Sequence, residues 1–372
     1  MERNFEVKKG KGRKHNQRMK HFLVLQYLLE HSDENHHVKT EDIVEYLKEE
    51  CGIYTERRSV YKDIQEINIA YVMIEEGVCL ERAFRMLEED PELETIRYKK
   101  KSGFYVARRA LSLEDAKLLA ECVHTTRFVT ERGTKFIVNN IGRLLSEHQR
   151  KEILHDTFAV ARVKTNNTQI FTIVDTIHEA MAQAKDGKAH TTEKISFQYL
   201  KCTIQNVGQK AERRHGERYV VSPHAIMINE GNYYLLGIDD KNKRLRTYRI
   251  DRMRGVRLTG DTREGNSETD HLKEYLETYP QRVFSMYGGR RELVRIRFTN
   301  DLLDTVVDRF GNYAGYFTED SKHFTVSVSI EVSPMFFGWL CGFGKKAKLI
   351  SPASVIEEFT QHLAKMQELY QS

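Results

Sequence analysis

The chain has 372 residues, 40% of them hydrophobic and 30% charged, with 59 Lys+Arg against 54 Asp+Glu and a formal net charge of +5. That length predicts two or three domains rather than one. The absence of any run of about 18 apolar residues argues against a membrane span, and five scattered cysteines without a CxxC pair argue against a disulfide framework or zinc knuckle and for a reducing cytoplasm.

Charge is unevenly spread. Residues 1–20 hold eight Lys/Arg against Glu2 and Glu6, with no apolar stretch behind them, so this basic arm is not a secretory signal. Residues 75–94 hold eight acids and only Arg82 and Arg85, whereas residues 95–109 hold six Lys/Arg and no acid. Such blocks suggest separate tasks, the basic ones as phosphate contacts; a solubilising surface is the plain alternative.

In chain order, QRMKHFLVLQYLLE (17–30) has helical apolar spacing with a broad buried face. Thr40 before Glu41 and Asp42 predicts an N-cap, and Gly52 a C-cap. Thr55 predicts a second N-cap for ERRSVYKDIQEINIAYV, whose Val60, Ile64, Ile67 and Tyr71 share one face while Arg57, Arg58, Tyr61 and Lys62 lie largely off it. Three short helices with a tight turn before the third describe a helix-turn-helix, the third entering the DNA major groove by its N-terminal half. LETIRYKK and GFYVARR, turning at Gly103, predict a hairpin wing with a basic tip at Lys99, Lys100 and Lys101. The acidic insert 75–94 predicts an extra helix facing away from DNA. A winged helix also serves as a protein-binding module, but the basic arm, helix and wing favour nucleic acid.

Beyond Arg109, Ser112 caps LEDAKLLAECVHTT, one helix is predicted through TKFIVNNIGRLLSEHQRKEI, and another, QIFTIVDTIHEAMAQAKDG, ends at Gly187. These read as a spacer and a dimerisation surface. Five short β-branched and aromatic segments follow, KISFQYL, RYVVSPHAIMI, NYYLLGID, RLRTYRID and GVRLTG, and predict a small closed barrel. After a linker (261–290), the order β-α-β-α-β-α over LVRIRFTNDLLDTVVDRFG to SPASVIEEFTQHLAKMQELY predicts a small α+β sandwich.

One stretch concentrates chemistry. Residues 232–256, NYYLLGIDDKNKRLRTYRIDRMRGV, hold seven Lys/Arg and three aspartates beside paired tyrosines. Alternation places Arg246, Tyr248 and Ile250 on one strand face and Thr247, Arg249 and Asp251 on the other. Guanidinium forks match phosphates and tyrosine rings stack on bases, so an anion site is expected. The alternative is that Asp251 pairs with Arg249 or Arg252 and the tyrosines are core.

These segments together resemble the WYL-domain transcription regulators. The naming motif appears as Tyr233-Tyr234-Leu235, with tyrosine for tryptophan; the later arginine and aromatic motif as Arg246, Tyr248, Arg249, Asp251 and Arg252; the upstream tyrosine as Tyr199; the proline strand as Pro223 and His224; and the C-terminal tryptophan region as Trp339 and Gly344. The third helix matches the family's pattern at Arg58, Val60, Tyr61, Lys62, Asp63 and Ile64. Where many members carry an arginine four residues before the proline, this chain has Tyr219, and Arg218 lies one step away, on the opposite strand face.

The resemblance implies a multi-domain α+β chain: a winged helix-turn-helix (15–109, with the insert 75–94), a helical linker or dimerisation segment (110–157), an Sm/SH3-like barrel or WYL domain (158–260), a linker (261–290) and a WCX extension as the sandwich (291–372). The expected protein is a cytoplasmic regulator that reads double-stranded operator DNA, as a homodimer because one winged helix buries too little surface for high specificity, and that senses an anionic effector (a nucleotide, oligonucleotide or single-stranded DNA), without membrane or cofactor. The expected DNA contacts are Thr55, Arg57, Arg58, Ser59, Tyr61, Lys62, Lys99, Lys100 and Lys101. The expected effector contacts are Tyr199, His224, Tyr233, Tyr234, Arg244, Arg246, Tyr248, Arg249 and Arg252. The alternative is a single-strand-binding module whose winged helix contacts protein. No GxSxG, HExxH or Walker A pattern suggests an enzyme. The histidines His31, His36 and His37 suggest a solvated loop rather than a metal site, the turn GFGKK is too short for a phosphate loop, and Tyr316, Phe317 and Phe336 are expected in the core.

Overall fold

Apolar spacing sets the first helices. A computed structural model describes residues 17–155, 164–182, 184–185, 188–189, 192–204, 210–265, 276, 279, 281–312 and 314–371. The basic arm at 1–16, Gly187 and residues 266–275, 277–278 and 280 of the 261–290 linker lie outside them. The chain divides into two units, up to Lys164 and from Thr165.

In the first unit, α1 (Lys20–His31), α2 (Thr40–Glu49) and α3 (Arg57–Glu76) bury Val24, Leu28, Ile43, Leu47, Val60, Ile64 and Ile67 in one core. Two predicted caps differ in detail. Thr40 is the first helical residue, and the Asp42 carboxylate accepts from the Lys39 amide at 3.0 Å. At α3 the capping position falls to Glu56, not Thr55, and no side chain caps the end. A buried ion pair, Lys20–Asp63 at 2.9 Å, ties α1 to α3.

The acidic insert forms α4 (Leu80–Glu89), which packs on α3. Strands β1 (Ile96–Lys99) and β2 (Gly103–Val106) form an antiparallel hairpin. Val38 adds to it, exchanging two 2.8 Å backbone bonds with Phe104. Gly103 lies at φ +118°, and a Cβ there would stand 2.2 Å from the Val38 carbonyl oxygen; glycine lets the two backbones meet.

Helix α5 (Leu113–Thr125) is capped by Ser112, whose Oγ accepts from the Asp115 amide at 3.0 Å. The single helix expected next is two: α6 (Glu131–Gly142) and α7 (Glu147–His155). Ser146 causes the break, accepting from the Gln149 amide at 3.1 Å to cap α7 and donating its hydroxyl to buried Asp33.

In the second unit, α8 spans Ile170–Met181 and so ends before the expected Gly187. Two-residue strands β3 (Ala184–Lys185) and β4 (Lys188–Ala189) follow. A curled antiparallel sheet then forms from β5 (Glu193–Cys202), β6 (Lys210–Glu212), β7 (Tyr219–Asn229), β8 (Asn232–Asp239), β9 (Arg244–Arg249) and β10 (Met253–Thr262). The order is β10-β5-β7-β8-β9, with β6 on β5. Among the described residues no ladder joins β9 to β10, so the expected backbone closure of the barrel is not present there; the Arg249 amide instead donates to the Tyr199 hydroxyl at 3.0 Å. Helix α8 covers β5, β7 and β10 with Ile173, Val174 and Ile177 buried.

The C-terminal part contains β11 (Arg290–Thr299), α9 (Leu303–Phe310), β12 (Gly315–Thr318), β13 (His323–Val332), α10 (Pro334–Cys341), β14 (Ala347–Ser351) and α11 (Ala353–Gln371), with sheet order β12-β13-β11-β14. Strand β12 was not expected. Phe298, Phe310, Phe336 and Val326 anchor the core, with Trp339 and Tyr316 packed against it, whereas Phe317 is 53% exposed rather than core. Among the described residues no helix is long and apolar enough to cross a membrane.

Candidate nucleic-acid interface and effector site

In the first unit, the N-terminal turns of α3 and the hairpin meet through aromatic contact. The Tyr61 ring lies 5.8 Å from that of Tyr98 and 4.9 Å from that of Phe104. Arg57, Arg58, Tyr61 and Lys62 are exposed on α3. Lys99, Lys100 and Lys101 are exposed at the hairpin end, with Lys101 in a left-handed turn at φ 70°. The Tyr61–Tyr98 contact brings these two basic groups to neighbouring positions. Arg57 is held at 2.7 Å by the Glu41 carboxylate, both side chains largely exposed.

Two expected members of this surface are otherwise engaged. The Ser59 hydroxyl accepts from Lys20 at 2.6 Å, turned toward α1. Thr55 is half-buried in the turn before α3. The histidines pair locally: His31 with Glu147 at 2.9 Å and His36 with Asp33 at 2.8 Å, and His36 stacks on His148.

In the second unit, register divides the expected effector residues. Pairing of Leu235 with Tyr248, Gly237 with Arg246 and Asp239 with Arg244 puts Tyr233, Arg244, Arg246 and Tyr248 on one face. Tyr248 joins Phe197, Tyr199 and Tyr219 in an aromatic cluster with ring centroids 5.5–6.2 Å apart. Tyr199, Tyr219 and Tyr248 are 8%, 7% and 4% exposed. Their rings are packed core, which corrects the expectation that Tyr199 and Tyr248 lie open for stacking.

The edge of the cluster is polar. The Tyr248 hydroxyl donates to Asp239 at 2.8 Å, and Arg214 pairs with the same carboxylate at 3.2 Å. Burial pushes the Asp239 pKa up, but the Tyr248 hydroxyl, the Lys241 amide and the Arg214 charge outweigh it and hold the carboxyl below its usual range. Burial first, then the bond to Asp239, drives the Tyr248 phenol upward, so it stays a donor. The Arg214 guanidinium lies 3.9 Å from the Tyr219 ring centre, and that of Arg213 5.5 Å from Tyr199. Arg244 and Arg246 are exposed, and their guanidinium groups have no hydrogen bond or ion pair among the described residues.

The other face is closed. Arg249 grips Asp251 with two 3.0 Å bonds and Asn232 with one of 2.7 Å. Tyr234 is 9% exposed and packs with Tyr279, Val283 and Met286. His224, at the β7 bulge, bonds to the Glu264 carbonyl oxygen at 2.9 Å, and burial pushes its pKa down. Arg249, Tyr234 and His224 are therefore not gathered with Arg246, and Arg249 is a structural clamp. Arg252, half-buried in the turn after β9, acts by its charge on Tyr199 and Tyr234. Arg218 turns away, donating to the Ser196 and Gly255 carbonyl oxygens.

Arg213, Arg214 and Asp239 were not among the expected site residues. The run AERRHGERY (211–219) carries the one sequence signal for the first two; that Arg214 covers Tyr219 is set by the path of the connection between β6 and β7.

Comparison with known proteins is consistent with these elements. Residues 194–258 match the WYL domain and residues 290–367 the WCX domain. Among solved structures, the chain is similar to proteasome accessory factor B/C (PafBC) of Arthrobacter aurescens, at 12% identity and a TM-score of 0.25, covering 91% of this chain. It spans about half of that protein, 46% of its length. It is also similar to a CRISPR Cas-related protein, at 14% identity and a TM-score of 0.35, covering 95% of this chain and 84% of the other. No curated protein matches the sequence.

Proposed function

We propose, from the premise that a WYL domain is followed by a WCX domain, that the chain is a regulator of the WYL-domain family, ligand-responsive and DNA-binding. The first unit acts as a winged helix. Arg57, Arg58, Tyr61 and Lys62 enter the major groove, and Lys99 to Lys101 contact the backbone beside it. The supporting observation is the Tyr61–Tyr98 contact, which brings the exposed basic turn of α3 beside the basic hairpin. Ser59 and Thr55 contribute packing rather than base contacts.

One such module buries too little surface for a specific site, so a homodimer on a two-fold operator completes the reading. The effector is anionic and of nucleotide or oligonucleotide type. Its contacts are Arg244 and Arg246, whose guanidinium groups have no hydrogen bond or ion pair among the described residues, with Arg213 and Arg214 over the tyrosine cluster. Effector control requires different affinity for the DNA-bound and free states.

The test is a gel shift with the DNA upstream of the chain's own gene. Arg57→Ala with Arg58→Ala should weaken binding by at least tenfold, with circular dichroism and Tm unchanged, since both side chains are exposed. Undiminished duplex binding by this variant would remove the DNA-reading role from α3. Preference for single strands over duplex would favour the alternative, a single-strand-binding module.

A further inference from the structure

Within the first unit, away from the DNA-facing surface, a cavity of about 630 Å³ opens among α1, the end of α3 and the corner between α6 and α7. Four arginines line it: Arg108, Arg109, Arg143 and Arg150. Its carboxylates are Glu30 and Glu75, and Tyr71, Leu29 and Leu144 supply apolar wall.

The four guanidinium groups are not equally occupied. Arg108 pairs with Glu75 at 2.9 Å and donates to the Leu93 carbonyl oxygen at 3.0 Å. Among the described residues Arg109 donates only to backbone, to the carbonyl oxygens of Leu29 at 2.8 Å, Ser32 at 2.5 Å and Leu144 at 3.4 Å, and its buried Nε has no partner there. Asp33 acts on Arg109 at a distance, but its own bonds run to Ser146 and His36. Burial lowers the pKa of Arg109, as expected of a charge poorly compensated where it sits. Arg150 uses Nε on the Gly142 carbonyl oxygen at 3.0 Å, and its other two nitrogens have no hydrogen bond among the described residues. Arg143 is exposed, and its guanidinium has no partner among the described residues.

We propose that this cavity is a binding site for a small phosphorylated molecule of nucleotide size, its phosphates held by Arg143 and Arg150 beside the fixed charge of Arg109. Guanidinium forks take phosphate oxygens in pairs. The volume lies in the range of small-molecule sites, roughly 300–1,000 Å³. Tyr71 and Leu144 offer an apolar wall to a ring or chain. Because the site joins α1 and α3 to α6 and α7, its occupant would brace the DNA-reading helices against the helical segment behind them. This site is independent of the effector face of the second unit.

Isothermal titration calorimetry of the full chain tests it, with ADP, pyrophosphate and adenosine as probes. ADP should bind and adenosine should not. Pyrophosphate equal to ADP would assign recognition to phosphate alone, and pyrophosphate at least tenfold weaker would place the ring in the cavity; either supports a phosphate site. Arg143→Ala should weaken ADP at least tenfold and Arg143→Glu should abolish its binding, both without a change in Tm. Three outcomes overturn the proposal: no heat with millimolar ADP, ADP binding unchanged by Arg143→Glu, or ADP binding lost with Arg246→Ala and kept with Arg143→Glu. The last would assign the ligand to the other unit.

Discussion

Arg246 and Arg249 lie three residues apart on β9 and face opposite sides of the sheet. Arg246 is exposed, and among the described residues its guanidinium has no hydrogen bond or ion pair, whereas Arg249 closes a fork on buried Asp251 and on Asn232. Arg249→Ala should therefore cost stability, roughly 1–3 kcal/mol for removing its charge-assisted bonds, read as a lower Tm. Arg246→Ala should leave Tm alone and weaken binding of a short single-stranded oligonucleotide about tenfold, or ~1.4 kcal/mol. If Arg249→Ala weakens the oligonucleotide as much as Arg246→Ala does, at an unchanged Tm, the division of roles is wrong. Alternation alone places these two arginines on opposite faces, and it raises a fastening ion pair at Asp251 as one option. It cannot choose between ligand and clamp, because that depends on Asn232 coming across from β8. Arg214 was out of reach for a related reason: its partner Asp239 lies 25 positions away, and only the folded connection brings them together.

At the scale of elements, local signals carried most of the first unit. Apolar spacing marked α1 and α3, Ser112 marked the start of α5, and Gly103 the hairpin. The division between α6 and α7 was missed because Ser146 looked like one more polar position on a continuous helix. Its hydroxyl caps α7 and also reaches Asp33, 113 residues earlier, and tertiary pairing of that kind leaves no periodic trace. Closure of the barrel was over-read from the count of strands, since β-propensity marks segments and not which edges pair. The hairpin offers a direct check. Gly103→Ala would thrust a Cβ to 2.2 Å from the Val38 carbonyl oxygen at a φ unfavourable to alanine. It should break the Val38–Phe104 bridge, lower Tm by several degrees and weaken operator binding; an unchanged Tm would mean that the bridge is dispensable.

For the whole molecule, the order of the segments was the legible property. No single motif is distinctive, and the naming tripeptide itself carries tyrosine for tryptophan, yet the WYL and WCX matches fall at 194–258 and 290–367. The cavity among the four arginines left no mark in the sequence, since Arg108 and Arg109 are separated by more than thirty positions from Arg143 and Arg150. If duplex binding rests mainly on phosphates, replacing Lys99, Lys100 and Lys101 by alanine should lower affinity about equally for all sequences. The slope of log K against log salt should shrink by about 0.9 for each phosphate that is no longer neutralised. A slope that does not move would separate the hairpin from the backbone. The Glu41 carboxylate on Arg57 then takes on a further meaning. If α3 reads DNA as proposed, the protein brings its own stand-in for a phosphate, and an encounter with nucleic acid begins as a swap of one anion for another. Random sequence gains little from such a swap, and a true operator must supply the surplus through its bases.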